Sequence, residues 1–351
     1  MICAIRADAS IAIGSGHVMR CLTLAEFLRD RGAEVYFICR ITPGDCREII
    51  LAKGFQVFPV SAGLSKPVED AMETADHLSR IGADWLVVDH YGLDRNWEQQ
   101  QRAFVGRIMV IDDLADRAHD CDLLLDQNMI AGMTNRYAGL VPERCRLFLG
   151  PSYVLLREEF VAARSNLKRS YGAVRRMLVF YGGSDPTNET EKALEAIRSL
   201  KFTDIVVDLV IGGANPHAAS INSGITDMPQ VVAHTQVNNM AALMASSDLA
   251  LGAGGTTTWE RCFLGLPTLL TIVADNQASP AKAVATAGMA RLLGTSASVS
   301  HLSLADAIIS AINRPDELES MSKRCLNYFY ERNSSVAAEI GAILSEGCHA
   351  A

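Results

Sequence analysis

The sequence predicts two consecutive doubly wound α/β domains, on three observations. Short β-branched runs alternate with helical stretches along the whole chain, the pattern of βαβ units and parallel sheets. Each half opens on a strand followed by a glycine-rich turn, Gly14-Ser15-Gly16 in one and Gly182-Gly183 in the other. The 351 residues are about twice the ~150 of a usual single domain.

Along the first half, Ile2–Arg6 reads as a strand and His17–Arg31 as the helix after its loop. Glu34–Cys39, running to Pro43-Gly44, and Gln56–Val60 are the next strands. Asp84–Asp89 is a buried strand bounded by turn residues; Arg107–Ile111 and Cys121–Asp126 follow. The charged stretch Arg157–Arg176 is the expected junction, which sets a first domain at 1–160. The pattern then restarts over 170–330: strand Met177–Phe180, helix Glu189–Leu200, strand Ile205–Ile211 and its turn Gly212-Gly213. Strands Val231–Thr235, Leu249–Gly252 and Thr268–Val273 are interleaved with helices Thr257–Leu266 and Ser279–Ala287. Pro315–Phe329 and Val336–Leu344 close the chain as helices, the last within a segment 331–351 that packs back across the junction.

Charge and composition exclude several classes. Forty acidic residues against thirty-two basic ones give −8, unlike the basic face that nucleic acid requires. The start Met1–Arg6 lacks a signal-peptide plan, and no apolar run approaches the ~20 residues of a membrane span. The nine cysteines form no CxxC pair, and several fall within apolar runs such as Val35–Cys39, as buried reduced thiols do. The expectation is a soluble cytoplasmic protein that meets neither membrane nor nucleic acid.

In doubly wound sheets, ligands lie beyond the carboxyl ends of strands. The loop Asp8–His17 follows the first strand. Gly14 and Gly16 permit close backbone approach and positive φ, and His17 stands at the helix start. There an imidazole tends to stay neutral, as a general base must; the alternative is a capping histidine in an ordinary turn. This is no dinucleotide fingerprint, since the third glycine and the later acid are missing. Asp89-His90-Tyr91-Gly92 follows another strand and can orient a sugar, or merely form the turn before a helix at Asp94. Asp112-Asp113 can bind a metal, orient hydroxyls or cap a turn; without spaced histidines nearby, no metal site is expected.

In the second half, Gly183 and Ser184 can offer amides and a hydroxyl to a diphosphate, or simply make a turn. Gly252–Glu260 is a small-residue loop entering a helix. Its amides near Gly255 and Thr256 can cradle phosphate. Glu260, one turn on, either accepts ribose hydroxyls or faces solvent. Asn276 and Gln277 can supply amide contacts to a sugar. No P-loop, GxSxG elbow or HExxH occurs.

Together these loops resemble the GT-B superfamily, two Rossmann-like doubly wound domains with an interdomain cleft. More specifically, the chain resembles the UDP-sugar hydrolase family of pseudaminic acid biosynthesis. The segments are Arg6–Ser10, Ile13–Arg20, Val88–Tyr91, Ile111–Asp113, Gly150–Phe160 and Asp275–Gln277. The resemblance implies metal-free, cofactor-free hydrolysis of a UDP-linked diacetamido-trideoxy sugar with inversion at C1. His17 is then the proton acceptor. Gly14, Gly16, Asp89, Tyr91, Asn276 and Gln277 lie on the sugar side. Gly183, Ser184, Gly255, Thr256 and Glu260 hold UDP. The loop 252–258 departs from that family in its richness in Gly and Thr. A glycosyltransferase using the same donor, a UDP-sugar epimerase and a non-catalytic sugar-nucleotide module remain alternatives. A cleft within one chain makes a monomer the expected state.

Overall fold

A computed structural model describes residues 1–11, 13–63, 66–235, 237–330 and 340–344. The chain divides into two units. The first comprises Met1–Leu156 with the C-terminal residues 340–344; the second begins at Arg157.

The first unit runs β1 (Ile2–Ala7), α1 (Gly16–Arg29), β2 (Glu34–Arg40), α2 (Arg47–Ala52), β3 (Gln56–Val60), α3 (Pro67–Ile81), β4 (Trp85–Asp89), α4 (Arg95–Gln101), β5 (Arg107–Ile111), β6 (Leu123–Asp126) and β7 (Arg146–Leu149). Its sheet has the order β3-β2-β1-β4-β5-β6-β7, with every pairing parallel. Parallel strands are covered on both faces, which is why β1 and β4 read as continuous apolar runs. Cys3 and Ile5 face α1, whereas Ala4, Leu86 and Val88 pack with Leu78 and Trp97 on the other side. Each fully buried aliphatic side chain contributes roughly 1.5–3 kcal/mol. Asp94 caps α4, accepting the amides of Asn96 and Trp97 at 3.0 and 3.2 Å. Ile340 and Leu344 enter this unit's core, and the Leu344 carbonyl accepts the Trp85 indole N–H at 2.9 Å. The rest of the helix expected over 331–351 lies outside the described residues.

The second unit runs α5 (Glu158–Ser165), β8 (Arg176–Phe180), α6 (Glu189–Leu200), β9 (Val206–Ile211), α7 (Ala218–Gly224), β10 (Val231–Thr235), α8 (Met240–Ser246), β11 (Leu249–Ala253), α9 (Thr257–Phe263), β12 (Thr268–Ile272), α10 (Ala278–Thr286), β13 (Arg291–Thr295), α11 (His301–Ile312) and α12 (Pro315–Tyr328). Its parallel sheet has the order β10-β9-β8-β11-β12-β13. The charged stretch expected as a junction therefore contributes a helix, α5, to the second unit. Among the described residues no helix is long and apolar enough to cross a membrane. All eight described cysteines are free thiols, and only Cys145 is more than marginally exposed; Cys348 lies outside the described residues.

Gly252 in β11 is a packing requirement. A Cβ there would stand 2.6 Å from an Arg261 guanidinium nitrogen and 2.9 Å from the Phe180 carbonyl. Overpacking of this kind typically costs about 1–3 kcal/mol. Gly252→Ala should lower the thermal midpoint accordingly, and an unchanged melt would contradict this packing.

Candidate functional site

Each sheet starts in its middle, and the chain later crosses back to its other half. The first reverses between β1 and β4, the second between β8 and β11. Loops leaving such neighbouring strands diverge and open a crevice at their carboxyl ends. Hence the loops after β1 and β4, and those after β8 and β11, are the places to search.

The loop after β1 is anchored along its length. Ser10 and Gly14 form an isolated bridge, with Gly14 at φ +81° and its amide donating to the Ser10 carbonyl at 2.8 Å. Thr42 donates its hydroxyl to the Ala9 carbonyl at 2.8 Å. Gly16 is not at positive φ as expected; it opens α1 with helical geometry. Ala12 lies outside the described residues. At the root of the loop, Asp8 joins a buried cluster with Arg6, Arg40 and Asp70. Arg40 donates its amide to Asp8 Oδ1 at 2.7 Å and a guanidinium N–H to Asp70 at 2.7 Å. Two arginines and two aspartates balance, as buried charges must. Burial pushes the Asp8 carboxyl up, but His90 and Arg6 outweigh it and hold it below the usual range. His90 Nε2 stands 3.1 Å from Asp8 Oδ2, while Nδ1 accepts the Gly92 amide at 2.9 Å. Together these contacts tie the loop after β1 to the loop after β4.

His17 is 6% exposed in the first turn of α1. Its Nδ1 lies 3.1 Å from Asp89 Oδ1 and 3.2 Å from the Asp89 carbonyl. A proton on Nδ1 donated to Asp89 leaves the Nε2 lone pair as the basic site, the tautomer a general base needs. Arg20 grips the same carboxylate from both sides, Nε to Oδ2 at 2.6 Å and NH2 to Oδ1 at 2.7 Å. Its NH1 reaches Asp113 at 3.2 Å. Burial raises the Asp89 carboxyl, yet Arg20 and His17 outweigh that and hold it below its ordinary value. Tyr91 meets the His17 ring edge-on, with centroids 4.4 Å apart. Burial pushes its phenol up, and Asp113 adds to that through charge and a hydrogen bond.

This geometry corrects one expectation. Asp89, expected on the ligand side, is 0% exposed, its carboxylate turned to His17 and Arg20. The register Ala7↔Asp89 between β1 and β4 sets it under α1. Arg20 was missed in the sequence. The signal was present: residues three apart on a helix share a face, which places Arg20 beside His17.

The Asp112-Asp113 pair divides its work. Asp112 is buried, accepting the Ala115 amide at 2.8 Å and standing 3.0 Å from Arg117. Asp126, at the end of β6, is another buried carboxyl, unforeseen in the sequence. The Tyr137 hydroxyl lies 3.0 Å from both Asp112 Oδ2 and Asp126 Oδ2, and one proton cannot serve both. Burial, with Asp113 adding to it, pushes Asp126 up to about 6 against the Asn128 amide and Arg136. Because the folded value lies above the unfolded one, Asp126 binds its proton more tightly in the native state. Its contribution to stability is complete below the unfolded carboxyl value of about 3.9 and is lost as pH rises through about 6. A carboxyl ¹³C titration should find the Asp126 midpoint near pH 6; a midpoint in the ordinary range would refute this.

In the second unit, Gly182 takes φ +108° and Asp185 φ +41°. Asp185 accepts the amides of Glu189 and Thr190, both at 2.9 Å, and so opens α6. The Gly183 carbonyl accepts the Ala214 amide at 3.0 Å, and Ser184 is buried beside it. Gly255 and Thr256 are half-buried at the entrance to α9. The amides of Thr258 and Trp259 turn back onto the carbonyls of Gly255 and Thr256 at 2.9 and 3.1 Å. Glu260 is not a solvated helix glutamate. Its Oε1 accepts from Arg157 NH2 at 3.0 Å, and its Oε2 is buried without a hydrogen-bond partner among the described residues. Burial raises its carboxyl above the ordinary value, against the pull of Arg157. Asn276 is exposed. Gln277 Oε1 accepts the Val273 amide at 3.1 Å, and its side chain lies against Gly254 and Gly255.

Residues 177–337 match the glycosyltransferase family 28 C-terminal domain. The chain is 27% identical over 285 residues to the UDP-2,4-diacetamido-2,4,6-trideoxy-β-L-altropyranose hydrolase of Campylobacter jejuni, covering 81% of this chain and 96% of that protein. It is 26% identical over 273 residues to an uncharacterized protein of Methanocaldococcus jannaschii, covering 76% of this chain. That match spans about half the archaeal protein's length, 54%. The solved structure of Acinetobacter baumannii MurG superposes with a TM-score of 0.64 at 13% identity, over 99% of this chain and 100% of that one. The fold is GT-B-like, with two Rossmann-like parallel-sheet units.

Proposed function

We propose that this protein is a UDP-sugar hydrolase that releases a 2,4-diacetamido-2,4,6-trideoxy sugar from UDP, as the step of pseudaminic acid biosynthesis that its resemblance implies. The observation that carries the reading is His17 Nδ1 at 3.1 Å from a fully buried Asp89 carboxylate. His17 Nε2 takes a proton from water, the water oxygen bonds to C1 on the face opposite UDP, and the C1–O bond to the β-phosphate breaks. The electron pair leaves on UDP. The anomeric centre inverts, and no metal takes part. In the second unit, Gly255 and Thr256 hold the diphosphate with Gly183 and Ser184, and Glu260 accepts ribose hydroxyls through the unpartnered Oε2. The likeness to the Campylobacter hydrolase over most of both chains supports this substrate class.

A glycosyltransferase reading is favoured by the family 28 match over 177–337; there His17 would deprotonate an acceptor hydroxyl. Incubation with the diacetamido UDP-sugar alone, followed by NMR, separates the two. Free sugar and free UDP in equal amounts, with the inverted anomer formed first, support hydrolysis. An unchanged donor that turns over only when an acceptor is added would overturn it. Loss of turnover on chelation, restored by Mg²⁺, would overturn the metal-free mechanism. Glu260→Gln should weaken UDP and uridine alike, about 10-fold for one hydrogen bond to a charged group. Undiminished binding of both would remove Glu260 from the ribose subsite.

A further inference from the structure

Arg261, in α9, is 1% exposed. Its NH2 donates to the Ala253 carbonyl at 2.7 Å and to Thr258 Oγ1 at 3.1 Å, and its NH1 donates to Thr257 Oγ1 at 3.1 Å. Nε has no hydrogen-bond partner among the described residues. Every acceptor is neutral. The glutamate next to it, Glu260, gives its Oε1 to Arg157.

The other fully buried arginines, Arg6, Arg20 and Arg40, each meet carboxylates. Arg6 and Arg40 meet Asp8 and Asp70, and Arg20 meets Asp89. Arg169, half-buried, also lacks a hydrogen-bonded carboxylate, and burial pushes it down to about 10. Its donors go to the carbonyls of Leu264 and of Met244, Ala245 and Ser247 at the end of α8, where the negative end of the helix dipole partly offsets its charge. Arg261 instead touches the last residue of β11 and the first two of α9, so no such dipole end opposes its charge. A buried cation without an anion is costly, and the glycine at 252 exists to make room for it. Burial accordingly pushes Arg261 down to about 10, against the smaller pull of Cys262, Glu260 and Tyr181. The half-buried Thr257 hydroxyl accepts a hydrogen bond from the guanidinium and donates to no acceptor among the described residues, so its own proton can face an anion.

We infer that Arg261 is the charge-bearing positioning residue of the diphosphate subsite, acting through the Thr257 hydroxyl and the loop 253–258 on the phosphates of the bound nucleotide. The inference rests on the UDP-binding reading of that loop. It also gives a physical reason for the loop's Gly and Thr content, which shapes space and relays for a guanidinium. A cation in a low-dielectric position favours charge developing on the leaving diphosphate without touching it.

The test compares UDP, GDP, dTDP and uridine binding to the full-length protein by calorimetry and ligand-observed NMR. Arg261→Met should weaken the diphosphate by about 10- to 100-fold, the range for hydrogen bonds to charged groups, and leave uridine unchanged. Arg261→Lys, which keeps the charge, should recover part of the loss. Thr257→Val should reproduce a smaller, equally phosphate-specific loss, and it decides the matter if Arg261→Met does not fold. Equal losses for UDP and uridine, or none, would overturn the inference. If the wild type prefers GDP or dTDP with the same dependence on Arg261, the UDP reading fails and this one stands. If it binds no nucleoside diphosphate, both fall.

Discussion

On the proposed mechanism, replacing His17 by Asn is expected to lower kcat by about 10²- to 10⁴-fold, the usual worth of one general base, and to leave UDP affinity nearly intact. Asn fills similar space but has no basic lone pair to accept the water proton. UDP affinity is expected to change little because the residues proposed to hold the nucleotide all lie in the second unit. A steady-state assay of UDP release, paired with UDP titration, checks both halves. Turnover near wild type in the folded variant would remove His17 from the chemistry, and a matched loss of UDP affinity would reassign it to binding.

Asp89→Asn is expected to be as damaging to turnover and worse for stability. Asp89 offers two oxygens, and Arg20 takes both. An amide has one oxygen, so its NH2 must face either Arg20 or His17. Facing His17 Nδ1, it would select the tautomer with the proton on Nε2 and abolish the base; facing Arg20, it opposes a cation. We expect kcat to fall by about 10²- to 10⁴-fold, as for loss of the base. The buried Arg20 charge also loses its counter-ion, which typically costs about 3–5 kcal/mol. Thermal unfolding at the assay pH must first show the variant folded. A folded Asp89→Asn with wild-type turnover would show that Asp89 does not orient the base.

The legibility of the fold varied with burial. β1, β4 and β11 are buried along nearly their whole length, so their apolar runs announce them. Two strands left no such trace. β7 (Arg146–Leu149) and β13 (Arg291–Thr295) are edge strands that begin on arginine and stay partly exposed. Half-buried edges tolerate mixed composition, and at four or five residues they are too short to show a period. The six-residue α2 was missed for the same reason.

Among site residues, those singled out at strand ends were the ones whose type departs from the local pattern. A histidine between a glycine turn and a helix stands out, as does a glutamate one turn into a helix. Arg20 and Arg261 do not, because a charged residue in a helix ordinarily faces water. Only packing shows that the first lies 2.6 Å from a buried aspartate and that the second is enclosed with no hydrogen-bonded carboxylate among the described residues.

By itself, then, the sequence determined the two parallel-sheet units and singled out the strand-end loops, Gly14–His17 among them, as the places to look for chemistry. Those follow from local periodicity and turn chemistry, which act over a few residues. Tertiary structure alone decided that the Asp89 carboxylate is buried against His17 and Arg20, that Gly16 is helical, that Gln277 Oε1 is engaged within its own turn, and that Arg261 is buried with no hydrogen-bonded carboxylate among the described residues. Each depends on partners brought together by strand register and helix packing, often tens of residues apart in the chain. A side chain's charge state and hydrogen bonds are set by such neighbours and by the loss of water around it.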